Sequence, residues 1–175
     1  HSDKITQIYN KLSKNDKWFD KGYFYYVDEP TDHSLLYQLQ DAGDFLDPIY
    51  PGYKMVSPFF TDIEFDYNTD QIEFMKDYVK IWCNKPYAYK TSALNKKEPK
   101  YIVQSEAYNK KYGTYSKRME EFKKRGDKVW WYVCWEPQDP YTNILIEQEG
   151  ISHRVLFWQQ KQYKVDGFLY YAVNN

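Results

Sequence analysis

Five apolar runs, separated by helical patterns, restrict the folds open to this chain more than any other feature. The runs begin near residues 23, 53, 79, 128 and 167, and each has the length of a strand. Runs that are apolar throughout predict strands buried on both faces, and helical crossovers between strands predict a parallel sheet. At 175 residues the chain is long enough for a sizeable core. We therefore expect a single α/β domain over residues 1–175.

Periodicity and capping residues mark the helices between the runs. The clearest is a single amphipathic helix over 108–122, where apolar residues recur at steps of four and three. Asp32, with Thr31 as the alternative, and Asp70 are predicted N-caps of two more helices, because Thr and Asp side chains accept hydrogen bonds from the free N–H groups of a first turn. Helices over 3–14 and 151–164 complete the pattern.

The ends of the strands bear on the choice between two parallel architectures. One is an open doubly wound sheet, which can be complete with five strands. The other is a portion of a (β/α)8 TIM barrel, which normally needs about 250 residues and gathers every strand end at one shared mouth. Polar or aromatic residues follow the runs, namely Asp28, Glu29, Ser57, Asn84, Trp135, Glu136 and Asn174. This pattern favours a partial barrel.

The composition excludes some functions and is compatible with carbohydrate binding. Aromatic residues make up 21% of the chain, and the apolar faces of sugar rings stack on such side chains. A tyrosine-rich core is the alternative explanation. The 24 basic and 25 acidic residues are spread along the chain and leave no basic surface for nucleic acid. No apolar run reaches the roughly 20 residues of a membrane span.

Cysteine and histidine residues form no metal-binding pattern. Cys83 and Cys134 both lie in apolar runs and are expected as free thiols rather than as a disulfide. The three histidines, at positions 1, 33 and 153, are scattered and lack ligand spacing. No glycine-rich phosphate-binding motif follows any strand. We therefore expect neither a metal nor another cofactor.

The first apolar run, YFYYVDEP at 23–30, ends in two adjacent acids and a proline. Most glycosidases place two carboxylates on either side of the scissile bond, about 5 Å apart or more. Consecutive strand residues point to opposite faces, so Asp28 and Glu29 do not easily form such an opposed pair. Spacing alone is equally compatible with a helix start, where one acid caps the helix and Pro30 fixes the turn.

Three stretches near the C-terminus carry a family resemblance: WWYVCWEP at 130–137, ISHR at 151–154 and DGFLYYAVN at 166–174. Together with YFYYVDEP, they resemble the catalytic domain of glycoside hydrolase family 123, which has an acidic pair after its fourth barrel strand. The resemblance implies the C-terminal portion of a TIM barrel, about strands 4 to 8, completed by a missing or separate N-terminal segment. Tyr171 departs from the pattern, since relatives often carry Trp there.

The same resemblance implies a retaining exo-β-N-acetylgalactosaminidase that works by substrate-assisted catalysis. In that mechanism the 2-acetamido carbonyl of the sugar attacks the anomeric carbon, so no opposed nucleophile is needed. Glu29 would act as the general acid and then as the general base. Asp28 would hold the acetamide N–H. The implied substrate is a glycan or glycolipid with a terminal N-acetylhexosamine.

Further residues near strand ends are candidates for substrate binding. Aromatic candidates could stack on the sugar, and amide candidates could bind its hydroxyl groups. They are Trp82, Asn84, Tyr132, Trp135, Tyr171 and Asn174. For each of them, packing within the barrel is the alternative explanation.

Two other functions compete with the hydrolase. One is a non-catalytic carbohydrate-binding or scaffold protein on the same barrel, and the other is an open α/β domain without sugar chemistry. A separate chain that supplies the first barrel strands is an expected partner of the barrel. For a bacterial glycosidase we expect a secreted or cell-surface location, with the cytoplasm as the alternative.

Overall fold

The chain folds into a curled, all-parallel sheet with helices packed on one side. The computed structural model describes residues 2–59, 64–66, 69–89 and 106–171. In chain order, the elements within these ranges are α1 (Ser2–Leu12), α2 (Asp16–Phe19), β1 (Phe24–Tyr25), α3 (His33–Leu46), β2 (Met55–Pro58), β3 (Glu64–Asp66), β4 (Thr69–Asp70), α4 (Gln71–Met75), β5 (Ile81–Asn84), α5 (Glu106–Tyr112), α6 (Tyr115–Lys124), β6 (Lys128–Val133), α7 (Gly150–Gln162) and β7 (Gly167–Tyr170).

The five predicted strands are confirmed as one sheet. Its order is β1-β2-β5-β6-β7, and each neighbouring pair is parallel. Helices connect successive strands, as a parallel sheet requires. The short antiparallel hairpin β3–β4 follows β2 and was not predicted from the sequence. Its strands of three and two residues are too short to show an alternating pattern.

The two faces of the sheet have different cores. The outer face packs against helices and forms the large core, which includes Leu36, Leu39, Met55, Ile72, Met75, Trp82, Tyr115, Met119, Val129, Trp131 and Leu156. The inner face carries a small cluster of strand residues, Val56, Ile81, Cys83 and Tyr132, with Trp130 and Leu169 against it. Helices are thus found on one face, whereas a doubly wound sheet has them on both.

Contacts across the inner face reveal a strong curl. A flat sheet would hold β1 and β6 three strand spacings apart, or about 14 Å. Yet the rings of Tyr23, just before β1, and Trp130 in β6 lie 5.1 Å apart, edge to face. The hydroxyl of Tyr132, also in β6, reaches Glu29 just after β1. The sheet is therefore a half-barrel, which is compatible with a partial barrel and not with the open doubly wound alternative.

The prediction of one continuous helix over 108–122 was wrong. The structure has two helices, α5 and α6, with Gly113 between them at φ +86°. A left-handed residue ends an α-helix, and Thr114 then caps α6 by accepting a hydrogen bond from the N–H of Lys117 at 3.4 Å. The apolar spacing continues across this break, so periodicity did not reveal it.

Both predicted N-caps are confirmed. The Asp32 carboxylate accepts a hydrogen bond from the N–H of Leu35 at 3.0 Å, at the start of α3. The Asp70 carboxylate accepts one from the N–H of Glu73 at 2.6 Å, at the start of α4. These caps set where the two helices begin, and so they fix the lengths of the loops that lead out of β1 and β2.

Gly167, at the start of β7, leaves room for the indole of Trp130. A Cβ at this position would stand 2.5 Å from Trp130 Cδ1, inside the contact limit. We expect Gly167→Ala to lower the free energy of unfolding by about 1–3 kcal/mol, because the indole must move. Urea denaturation measures this loss. Gly150→Ala is the matched control, since a Cβ there meets no atom within 4 Å. Equal effects of the two substitutions would contradict the packing argument.

Candidate active site

The two adjacent acids lie at the end of the sheet where its parallel strands finish. The segment 28–30 leaves β1 and runs beside Pro58, the last residue of β2. The N–H of Glu29 donates a hydrogen bond to the carbonyl of Pro58 at 3.1 Å. Because the strands are parallel, β5, β6 and β7 also finish at this end of the sheet.

The Asp28 carboxylate is hydrogen-bonded to a tyrosine of the inner face. The hydroxyl of Tyr25 in β1 donates a hydrogen bond to Asp28 Oδ1 at 2.6 Å. The buried thiol of Cys83, also on the inner face, has a pKa raised by burial and then by the negative charge of Asp28. The Asp28 carboxylate therefore lies close to the inner end of β5. Cys83 and Cys134 are free thiols, as predicted.

Glu29 adopts an unusual backbone conformation that brings its side chain to the same face. Its φ of +43° lies in the left-handed region, which residues other than glycine rarely occupy. This conformation breaks the alternation that would otherwise turn consecutive side chains to opposite faces. The Glu29 carboxylate accepts a hydrogen bond of 2.5 Å from the hydroxyl of Tyr132. The two acids thus both meet tyrosine hydroxyls of the inner face.

The two tyrosines remain hydrogen-bond donors at neutral pH. Burial, and then the hydrogen bond to Asp28, raise the pKa of Tyr25 above its usual value. Burial, and then the hydrogen bond to Glu29, raise the pKa of Tyr132 in the same direction. Each acid therefore has a neutral O–H donor that orients it.

A buried ion pair lies beside this cluster. Lys85, directly after β5, is 2% exposed, and its Nζ is 3.2 Å from Glu136 Oε2. The same Nζ lies 5.4 Å from the centre of the Tyr132 ring. The ammonium group thus contributes a positive charge next to the tyrosine that holds Glu29. Buried charges of this kind are found paired, and they cluster at functional sites.

The loop after β6 presents an exposed tryptophan from a well-bonded backbone. Asn143 is fully buried, and its Nδ2 donates to the carbonyls of Cys134 at 2.9 Å and Pro137 at 2.8 Å. These carbonyls flank Trp135, which is 67% exposed. A rigid backbone with an exposed aromatic ring is suited to stacking on a ligand.

The structure places the predicted site residues in different environments. Asp28, Glu29 and Tyr132 come together on the inner face, while Trp135 and Tyr171 are exposed just after β6 and β7. Trp82 and Asn84 are fully buried on alternate positions of β5 that face the helices. Asn174 lies outside the described residues.

Trp82 is placed as a core residue. Its indole stacks on Phe122 of α6, with centroids 4.4 Å apart and ring planes within 5°. Its Nε1 donates to Asp127 Oδ2 at 2.8 Å. Asn84 shares this outer-face register, and its Oδ1 accepts from the N–H of Lys85 at 2.7 Å. The structure does not bring these two side chains to the acids, because strand alternation turns them outward.

The capping alternative for the acids has no support in the geometry. Asp32, four residues after Asp28, is the residue whose side chain caps α3. Asp28 and Glu29 instead accept hydrogen bonds from tyrosine hydroxyls. Among the described residues, neither acid caps a helix.

Sequence reasoning did not single out Tyr25 or Lys85. Tyr25 stands three residues before Asp28, which is a spacing that allows a local side-chain contact, but it was read as part of an apolar strand. Lys85 follows Asn84 directly and so belongs to a polar strand end. Its burial and its pairing with Glu136 depend on the loop after β6, which sequence alone does not place.

The cluster can donate, accept and orient protons. Two carboxylates and two neutral hydroxyls supply acid, base and hydrogen-bond donors within one region. Among the described residues, no three His, Cys, Asp or Glu side chains gather as a metal site would require. Within the same part of the chain, no helix has the length and apolarity to cross a bilayer.

Comparison with known proteins identifies the family of the chain. A search among curated proteins found no match to the chain. The family described as "Glycoside hydrolase 123, catalytic domain" matches residues 2–175, which is nearly the full length. That match includes the acidic pair, both tyrosines and the strands that carry them. The chain therefore belongs to the glycoside hydrolase 123 catalytic domain family, as its strand-end motifs predicted.

Proposed function

We propose that this domain is a retaining β-N-acetylhexosaminidase that uses the 2-acetamido group of its substrate as the nucleophile. The observation that supports this most is that Asp28 and Glu29, although consecutive, both accept hydrogen bonds from tyrosines of the inner face. Because both carboxylates contact the inner face, they would lie on the same side of a sugar bound there. They suit an enzyme whose nucleophile comes from the substrate rather than from an opposed carboxylate.

In the first step the acetamide carbonyl oxygen attacks the anomeric carbon while the bond to the leaving oxygen breaks. Glu29 gives its proton to that oxygen, and an oxazolinium ion forms. Asp28 accepts a hydrogen bond from the acetamide N–H, which orients the carbonyl and offsets the developing positive charge. In the second step Glu29 takes a proton from water, and the water opens the oxazolinium with net retention.

The proposed substrate is a glycan or glycolipid with a terminal N-acetylgalactosamine. Asp28 requires the acetamide group, so sugars with a free 2-hydroxyl are poor substrates in this proposal. Trp135 and Tyr171 are the proposed stacking platform, because both are exposed just beyond strands that end at the acids. The Lys85–Glu136 pair lies next to Tyr132 and limits the room on that side.

We also propose that the five parallel strands are strands 4 to 8 of a TIM barrel. The first strand, β1, has two residues and, within the described part of the chain, pairs with β2 alone. A groove of about 600 Å³ lies beside it. The groove is lined partly by Ile5, Phe24 and Phe45, so it suits an apolar partner. Further strands, from a preceding segment or a separate chain, would pair with the open edges and shelter the substrate.

A stable analogue of the proposed oxazolinium intermediate tests the proposal in the full-length protein. N-acetylgalactosamine-thiazoline mimics the oxazolinium ion, and we expect it to bind at least about 100-fold more tightly than N-acetylgalactosamine. Asp28→Asn should remove most of this preference, while Asp77→Asn, an exposed acid after α4, should keep it. An enzyme that turns over N-acetylhexosaminides without thiazoline inhibition would rule out the substrate-assisted mechanism.

A carbohydrate-binding protein without turnover is the second candidate. The exposure of Trp135 and Tyr171, 67% in each case, favours this reading, because a binding site needs aromatic surface and no acid. Saturable binding of N-acetylgalactosamine without hydrolysis by the full-length protein would support it over the enzyme.

A further inference from the structure

The segment that carries the two acids is held in a conformation it would not adopt by itself. Glu29 has φ +43°, and such a backbone persists only where the surroundings enforce it. One restraint is the hydrogen bond from the Glu29 N–H to Pro58, and a second comes from Tyr132. A third acts on the next residue, Pro30, which is buried.

That third restraint is the side chain of Gln71. Its Nε2 donates a hydrogen bond of 2.6 Å to the carbonyl of Pro30, across 41 residues of sequence. Gln71 is the first residue of α4 and is 1% exposed. The carbonyl is the one polar backbone group of a proline, so this bond gives the buried Pro30 its hydrogen-bond partner.

Packing alone does not account for an amide at position 71. The Oε1 of Gln71 is buried and has no hydrogen-bond partner among the described residues. A buried acceptor without a partner is unfavourable, so an apolar side chain of the same size would suit the core better. The hydrogen bond from its Nε2 to the Pro30 carbonyl therefore explains why residue 71 carries an amide.

Gln71 is itself fixed by a buried ionic cluster. Asp70, the preceding residue, caps α4 and pairs through both carboxylate oxygens with the guanidinium of Arg118 on α6. Tyr108 on α5 donates to the same carboxylate at 2.7 Å. Three helices thus converge on the backbone that carries Gln71, which makes its side chain a rigid support.

We propose that Gln71 is a positioning residue for Glu29. Its bond to the Pro30 carbonyl holds the acid-bearing segment, so that the Glu29 carboxylate stays with Tyr132 on the inner face, where it can reach a leaving oxygen. Gln71 touches no substrate atom in this scheme. The inference rests on the proposed hydrolase function, and it adds a residue that acts through Glu29.

Leaving-group dependence in the full-length protein tests this role. Gln71→Met keeps the side chain's size and removes the donor. We expect kcat/KM on substrates with poor leaving groups to fall by about 10–100-fold, since displacement of an acid by about 1 Å has effects of this order. Substrates with excellent leaving groups need no acid, so we expect them to lose about threefold or less.

Two further variants separate positioning from general damage. Gln71→Leu also lacks a donor for the Pro30 carbonyl, so it should behave like Gln71→Met. Leu156→Ala, a fully buried change on α7, should lower the melting temperature and leave the ratio of the two substrate classes unchanged. An unchanged ratio in both Gln71 variants would overturn the proposal.

Hydrogen exchange distinguishes failure of this inference from failure of the proposed function. If the wild-type protein hydrolyses no N-acetylhexosaminide, the hydrolase proposal fails. The exchange rate of the Glu29 amide hydrogen would still show whether Gln71 holds the acid-bearing segment. We expect Gln71→Met to speed exchange of that amide at least about tenfold relative to the Glu73 amide, because local opening becomes easier. Equal protection in wild type and variant would overturn the positioning role.

Discussion

Replacing Glu29 with Gln is expected to lower kcat/KM on N-acetylhexosaminides with poor leaving groups by about 10²–10⁴-fold, since general acid catalysis contributes this much. The amide oxygen of Gln can still accept the hydrogen bond from Tyr132, so folding stability should change little. Rates measured with a series of aryl and alkyl glycosides, beside thermal melts, check both statements.

The control for this prediction is Glu121→Gln, which neutralises an exposed carboxylate on α6 and should leave all rates unchanged. Glu29→Gln should also lose least on the substrates with the best leaving groups. Near wild-type rates with poor leaving groups would remove Glu29 from the role of acid. In that case Asp28 would become the next candidate for proton donation.

Replacing Asp70 with Asn is expected to lower the free energy of unfolding by about 3–5 kcal/mol, because it leaves a buried guanidinium without its counter-charge. Asp70 is fully buried, and Arg118 is 8% exposed. Asn can still cap α4, so the loss would come from the charge pair. Chemical denaturation of the full-length protein at neutral pH gives the value.

The pH dependence of folding stability provides a second test of the Asp70–Arg118 pair. Burial alone would raise the pKa of Asp70, but hydrogen bonds from Arg118 and Tyr108 outweigh it, and the pKa is lowered. A carboxyl with a lower pKa in the folded state stabilises the fold above its unfolded pKa, and this stability is lost as pH falls toward the folded value. Wild type should therefore lose stability below about pH 4, and Asp70→Asn should lose less.

Glu73→Gln is the comparison for the Asp70 prediction. Glu73 pairs with Lys76 on the surface of the same short helix, and both side chains are well exposed. Surface pairs contribute about 0–1 kcal/mol. A loss for Asp70→Asn no larger than that for Glu73→Gln would show that the buried cluster does not stabilise the fold as argued.

Local sequence patterns were sufficient for the order of strands and most helix starts. Apolar runs predicted five parallel strands; β2 and β5 are buried over their whole length, whereas β1 and β7 are partly exposed. Asp32 and Asp70 predicted helix starts, because capping depends on a few neighbouring residues. The prediction of one helix over 108–122 was wrong, because the break at Gly113 depends on a single φ angle. The spacing of apolar residues does not report that angle.

The site was less predictable, because its contacts join distant residues. Tyr132 was predicted to contact the sugar, and nothing in the sequence indicated its hydrogen bond to Glu29, which spans 103 residues. Trp82 was chosen for its place near a strand end, and it faces the helices. A one-residue difference in register separates these two faces, and only the paired strands fix it. Gln71 lay within a predicted helix, and no sequence pattern indicated its contact with Pro30.

Residue order alone places two acids where an apolar strand ends and predicts that this strand belongs to a parallel sheet. Composition and strand-end motifs also carried the family assignment. Only the tertiary structure decided that both acids meet the inner face, because this depends on the left-handed backbone at Glu29 and on the curl that brings β6 toward β1. Neither property is local, since each results from packing among strands and helices that are far apart in the chain.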